Sequence, residues 1–169
     1  MILISIQIIL IALLLSLIYL LVYSTIRGGP YAPLGKKRVK DMINLLKIKK
    51  GEKAVDLGSG DGRVVIALAK AGAEAYGYEI NPLLVWISRR NIKKTGLERK
   101  AFINWQDLWK VDLSKFDIVT LYVIPTIMGS LEKKLKKELK KGARVTSNHF
   151  KFPKWKVSQT KNDSYLYKN

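Results

Sequence analysis

The chain has 169 residues and a net charge of +18, from 31 Lys and Arg against 13 Asp and Glu, which is one domain's worth of chain with a single core. With no cysteine and only one histidine, His149, it excludes disulfides, thiolate zinc sites, covalent cysteine catalysis and histidine metal clusters. The charge calls for an anionic partner, lipid or nucleic acid, unless it is only a lysine-rich solubilising surface.

From Ile2 to Tyr23 no residue is charged and Leu and Ile dominate, a run that as a helix spans a hydrocarbon core of roughly 30 Å. It predicts a transmembrane anchor within residues 1–26. A cleaved signal peptide would carry a basic start and a small-residue cleavage site, and neither is present. Arg27, Lys36, Lys37, Arg38 and Lys40 all follow the run, so the positive-inside rule puts the rest of the chain in the cytoplasm. With an anchor present, an anionic lipid surface is the simpler partner for the charge and nucleic acid the less favoured one. Residues 27–35, with Gly28, Gly29, Pro30 and Pro33, read as a helix-breaking linker before a domain over 36–169.

Within the domain, Val39, Met42, Ile43, Leu45, Leu46 and Ile48 recur at mostly helical spacing over 36–48. A first strand follows at 53–57. Helices at about 62–71 and 81–95 then alternate with β-rich runs at 75–79 and 101–105, which is the pattern of a parallel sheet with crossover helices. A fourth strand is expected at 117–123. Leu131, Leu135 and Leu139 recur every four residues in a lysine-rich run, predicting a helix with one apolar stripe and a basic face, ended by Gly142. A fifth strand at 143–148 and a hairpin at 157–160 and 164–167, turning through Asn162 and Asp163, bring the count to seven.

The chemistry concentrates at 55–64, Val-Asp-Leu-Gly-Ser-Gly-Asp-Gly-Arg-Val. Glycines at 58, 60 and 62 let the backbone turn sharply and approach a ligand, and the next helix presents free N–H groups. A dinucleotide fingerprint wants its third glycine at 63, where Arg63 stands, so the pyrophosphate reading weakens. Asp56 precedes the turn, Glu79 tips the second strand and Asp107 follows the third. These carboxylates could accept from ribose hydroxyls and an adenine amino group along the edge where open α/β sheets bind ligands. A tight βα turn with solvated acids is the plain alternative.

This ordered set resembles the seven-strand, Rossmann-like class of S-adenosylmethionine (SAM) dependent methyltransferases. More narrowly, the chain resembles the small protein lysine methyltransferases that include the enzymes acting on the ATP synthase c-subunit and on the adenine nucleotide translocase. The likeness rests on Tyr-Ala-Pro at 31–33, Asp-Leu-Gly-Ser-Gly-Asp-Gly-Arg at 56–63, Gly-Tyr-Glu-Ile-Asn-Pro at 77–82 and Asp-Leu-Trp-Lys at 107–110. It also rests on Leu-Glu-Lys-Lys-Leu at 131–135 and Asn-His-Phe-Lys-Phe-Pro-Lys-Trp at 148–155. Leu34 and Gly35 depart from it, where threonine or serine and then proline are usual.

The resemblance implies SAM held by Tyr31, Asp56, Gly58, Ser59, Gly60, Asp61, Gly62, Glu79, Ile80, Asn81, Asp107 and Leu108. It implies a lysine acceptor on a protein at or in the membrane. Tyr122, with Pro125 shaping a bend after the fourth strand, is the candidate for an acceptor pocket. Phe150, Phe152 and Trp155, on a loop fixed by Pro153, are candidates for the wall of a substrate channel, with core packing or a lid on the hairpin as the alternative for these aromatics. RNA, lipid or quinone methylation, or a noncatalytic membrane module, are the competing functions.

Overall fold

The computed structural model describes residues 2–169, the side chains of part of the first helix excepted. That helix, α1 (Ile2–Gly28), is uncharged until Arg27 and carries exposed aliphatic side chains such as Leu3, Ile8 and Leu13. Among the described residues no helix is long and apolar enough to cross a membrane. The spanning helix expected over 2–23 is therefore not established by the fold. What α1 shows is a helical backbone running past Tyr23 to Gly28.

The domain follows in the order α2 (Lys36–Leu46), β1 (Lys53–Leu57), α3 (Arg63–Lys70), β2 (Glu74–Glu79), α4 (Pro82–Lys94) and β3 (Ala101–Trp105). Then come a 3-10 turn (Leu108–Lys110), β4 (Ile118–Leu121), α5 (Pro125–Glu138), β5 (Arg144–Asn148), β6 (Gln159–Lys161) and β7 (Ser164–Lys168). The seven strands form one sheet in the order β3-β2-β1-β4-β5-β7-β6. The first five strands are parallel, and β7 runs antiparallel to both β5 and β6. This is the seven-stranded, mostly parallel sheet with a terminal antiparallel hairpin expected from the sequence.

Both faces of the sheet are covered, which is why its strands read as nearly continuous apolar runs rather than alternating ones. Ala54, Ala75 and Ile118 pack with Met42 and Leu46 of α2, Val65 and Leu68 of α3, and Val85 of α4. On the other face Val55, Leu57, Val119 and Val145 pack with Met128, Leu131 and Leu135 of α5 and with Phe116.

One element departs clearly from expectation. Helix α5 begins at Pro125 rather than near Leu131 and stops at Glu138, leaving Leu139 extended. Pro125 occupies the first helical position, where a fixed φ and a missing N–H cost nothing, so it starts a helix instead of shaping a bend. Just past the other end, Asn169 Nδ2 donates to Leu139 O at 2.8 Å, satisfying the carbonyl of the extended residue that follows the helix. Leu139 remains buried, so the four-residue leucine stripe is right about burial but overruns the helix by one position.

Strand order reverses between β1 and β4, to opposite sides of β1. At such a switch point the connections leave in opposite directions and open a crevice beyond the carboxyl ends of the strands. The glycine loop after β1 sits there.

Candidate functional site

The loop after β1 is held open by its glycines. Gly58, Gly60 and Gly62 have φ of 78°, 53° and 82°, values that side-chain-bearing residues adopt only at a cost. Gly62 has a second reason to be glycine, because a Cβ there would lie 2.8 Å from Ser88 Cβ of α4. Gly58 N and Ser59 N both donate to Tyr78 O of β2, at 2.9 and 3.1 Å, tying the turn to the neighbouring strand. Gly77 in β2 leaves the room that Ser59 fills, since a Cβ on it would come within 2.7 Å of Ser59 Oγ. The Ser59 side chain thus packs toward β2.

Glu79, buried at the end of β2, is the centre of the arrangement. Its Oε2 accepts from Gly60 N at 2.8 Å and its Oε1 from Asn81 N at 2.8 Å. One carboxylate thereby fixes both the glycine loop and the β2–α4 turn. The Asn81 side chain caps α4, accepting from Leu83 N and Leu84 N. Asp107 likewise caps the 3-10 turn after β3 by accepting from Trp109 N at 3.0 Å.

Asp56, on β1, is buried and accepts from Thr120 Oγ1 at 2.7 Å. Burial pushes its carboxyl up to about 7; the Thr120 hydrogen bond opposes this, and the nearby Glu79 and Asp61 charges add to it. Asp61 goes the other way. Although burial alone would raise it, the Arg63 guanidinium holds its carboxyl below the usual range, through contacts as short as 2.6 Å.

Arg63, which in the sequence marks only the break from the dinucleotide fingerprint, joins the linker to the loop. Besides gripping Asp61, its Nη1 donates to Leu34 O at 2.6 Å. Leu34 is buried, and Tyr31 lies over the loop, with ring carbons 3.1 and 3.3 Å from where a Gly60 Cβ would be. The signal was present in the sequence as an arginine directly after the glycine that starts α3. Its partner, a backbone carbonyl far along the chain, had no signature.

These parts enclose a cleft of ≈ 210 Å³ whose lining includes Tyr31, Asp56, Gly58, Ser59, Gly60, Asp61, Glu79, Ile80, Asn81, Asp107, Leu108 and Tyr122. Residues 29–34, read from sequence as linker, also line it, as do Leu84 and Val123. Gly62, Pro125, Phe150 and Trp155 do not. Trp155 lies in an aromatic cluster 5.4 Å from both Phe152 and Tyr167. Its Nε1 donates to Lys168 O, and Lys168 pairs with Arg144 at the start of β5, so the indole sits toward the opposite end of the sheet from the cleft. Phe150 packs against the core on the α5 face. The segment between β5 and β6 itself runs back along the sheet, because β6, antiparallel to β7, runs parallel to β5, which chain order could not show.

The lining selects a kind of ligand. Four carboxyl groups, Asp56, Asp61, Glu79 and Asp107, face the cleft with one guanidinium, which Asp61 already engages. A pyrophosphate would meet repulsion there, whereas a ligand carrying positive charge and hydroxyl or amine donors would be held. Leu84, Leu108, Ile80 and Val123 supply apolar walls for a flat ring. An adenosyl sulfonium fits this donor and charge pattern, with Glu79 and Asp107 as acceptors and the loop backbone beside them.

A family profile described as the ANTKMT methyltransferase domain matches residues 56–159. The chain is 44% identical over 131 residues to the mouse lysine N-methyltransferase of the ATP synthase C-subunit, covering 78% of this chain and 53% of that protein. It is 36% identical to a protein-lysine N-methyltransferase of Saccharolobus islandicus, over 75% of this chain and 80% of that one. The structure of an RNA methyltransferase from Salinibacter ruber in complex with S-adenosyl-L-homocysteine superimposes with a TM-score of 0.76 at 33% identity, covering 80% of this chain and 91% of that chain. This chain spans about half the length of the mouse relative. With its sheet order, glycine loop and acidic strand tips, the chain belongs to the ANTKMT methyltransferase domain family, within the seven-strand SAM-dependent methyltransferases.

Proposed function

We propose that the protein is a membrane-anchored SAM-dependent methyltransferase that transfers a methyl group to a lysine side chain of a protein at or in the membrane. The observation that carries the catalytic part is Glu79, which accepts from Gly60 N and Asn81 N within a cleft lined by three further carboxyl groups. The similarity to a protein-lysine N-methyltransferase, most of whose length is covered, supports the acceptor. The uncharged run 2–23 and the exposed aliphatic coat of α1 support the anchor, and the basic residues after it support a cytoplasmic domain.

SAM supplies a sulfonium methyl open to in-line attack. This chain's residues do the holding. Glu79 is a rigid acceptor because two backbone N–H groups fix it, and Asp107 is fixed by Trp109 N. Buried Asp56 gains a reason to ionise when a cation enters the cleft, since an opposite charge favours the carboxylate. Tyr122, half-buried at the end of β4, and Val123 form the part of the lining beside Asp56's strand. A lysine reaching past them into this wall would lose water, which favours the neutral amine that attacks. Holding that nitrogen about 3 to 3.5 Å from the methyl carbon accounts for most of the rate advantage.

The test is to incubate the full chain, in detergent micelles, with tritiated SAM and separate membrane, RNA and lipid fractions. Label that is protease-sensitive and nuclease-resistant, appearing in the membrane fraction, is expected. The RNA reading stands on the +18 charge and on the Salinibacter similarity, and nuclease-sensitive label would establish it instead. Absence of label in every fraction would overturn the enzymatic proposal.

A further inference from the structure

Apart from those on α1, the large apolar side chains that are prominently exposed among the described residues are Tyr31, Leu83, Trp86 and Trp105. All four lie at one place, the carboxyl edge of the sheet. Leu83 and Trp86 are in the first turns of α4, directly after β2, and Trp105 is the last residue of β3. The Trp105 indole Nε1 donates to Ile80 O at 2.9 Å, laying the ring against the β2–α4 turn. Leu83, Trp86 and Trp105 are 59%, 58% and 63% exposed. Leu83 and Trp86 are three residues apart and share a helix face, and the Arg90 guanidinium lies 5.6 Å from the Trp86 ring centroid.

Helix α1 leaves the domain at the same edge. The segment after it, Gly29 to Leu34, lines the cleft, and a Cβ on Gly29 would lie 2.6 Å from Ile124 Cγ2, just beyond β4. Two independent apolar features therefore share one side of the domain, and among the described residues outside α1 no other large apolar side chain is prominently exposed. Charge alone would favour the opposite edge of the sheet, where Lys49, Lys140, Lys141 and Lys168 gather, so the choice of this edge rests on its apolar side chains and on the exit of α1.

We infer that this carboxyl edge lies on a lipid bilayer, with Leu83, Trp86 and Trp105 seated among the headgroups and the mouth of the cleft facing the membrane. This rests on the anchor proposed above. Tryptophan suits that boundary because its ring is apolar and its N–H polar, and an arginine beside it meets lipid phosphate. The acceptor is then a side chain presented at the membrane surface rather than one on a freely soluble partner.

The experiment uses the full chain with phosphatidylcholine/phosphatidylglycerol vesicles whose acyl chains are brominated near the headgroup end. Flotation reports the anchor, and bromine quenching of indole emission reports the docked edge. The chain has four tryptophans, so docking should quench about half the emission, and the Trp86→Phe/Trp105→Phe double variant should float equally while losing that quenching. Flotation without quenching overturns the docked edge and leaves the anchor standing, the result expected if the patch instead receives a protein. Equal quenching of wild type and double variant also overturns it, placing another face on the lipid. Failure to float removes both the anchor and this inference.

Discussion

Replacing Glu79 by Ala removes the one acceptor shared by Gly60 N and Asn81 N. The loop and the turn then lose their common tie along with the ligand's partner. SAM binding measured by calorimetry should weaken about tenfold or more, the worth of a charge-assisted hydrogen bond. Asp56 makes a prediction about pH. Its folded pKa is raised from 3.8 to about 7, so between those values the folded state binds more protons than the unfolded chain. Its contribution to stability is therefore present below about pH 4 and lost as pH rises through 7, by up to about 4 kcal/mol. Asp61 and Asp117, held below the usual range by Arg63 and Lys140 respectively despite burial, weaken the fold only on further acidification. Thermal melts should thus show the unliganded protein less stable at pH 8 than at pH 5, and Asp56→Asn should flatten that slope. Gly62→Ala combines a left-handed φ of 82° with a Cβ 2.8 Å from Ser88 and should cost about 2–4 kcal/mol. Adding Ser88→Gly should restore only the steric part.

Among the elements, α5 shows what sequence pattern conveys and what it misses. The Leu131, Leu135, Leu139 stripe marks buried residues correctly: the first two by their place on one face of the helix, Leu139 as the extended residue after it. The helix start was missed because a proline after a strand reads equally as a bend or as a first helical residue, and only the path of the chain over the sheet decides. Buried Glu132 on the same helix has both its oxygens engaged, one by Lys136 Nζ at 2.7 Å and one by Lys154 N at 2.9 Å. It fastens the segment after β5 to α5. Glu132→Ala should therefore destabilise the protein by about 2–3 kcal/mol in urea unfolding, while leaving SAM affinity nearly unchanged because the contact lies outside the cleft. Of the 27–35 segment, legible as a linker by its glycines and prolines, Arg27 and Gly28 end α1 and residues 29–34 form a wall of the cleft. Its role depends on Arg63 capturing Leu34 O.

At the scale of the molecule, an acid-lined cleft opens in a body of net charge +18. Long-range attraction of the surface for anions and short-range selection for a cationic ligand thus work at different distances, and salt screens the first more than the second. A chain of residues 29–169 keeps every residue lining the cleft. It should bind SAM within about twofold of the full chain, judged by calorimetry, because nothing in the donor set is removed. If α1 is the anchor, this shortened chain should no longer float with neutral vesicles.

The sequence by itself determined the strand order along the chain, the glycine loop and the two acidic tips, because strand periodicity, positive-φ demand and motif spacing are local properties. It also determined the uncharged N-terminal run and the excess of positive charge. Only the tertiary structure decided that Tyr31 and Leu34 close over the loop, that Trp155 belongs to an aromatic cluster toward the far end of the sheet, and that Leu83, Trp86 and Trp105 share an edge with the exit of α1. Those facts depend on which strands become neighbours. Pairing β5 with an antiparallel β7, and switching strand order at β1 so that β2 and β4 lie on its two sides, sets residues distant in the chain side by side in ways no local pattern encodes.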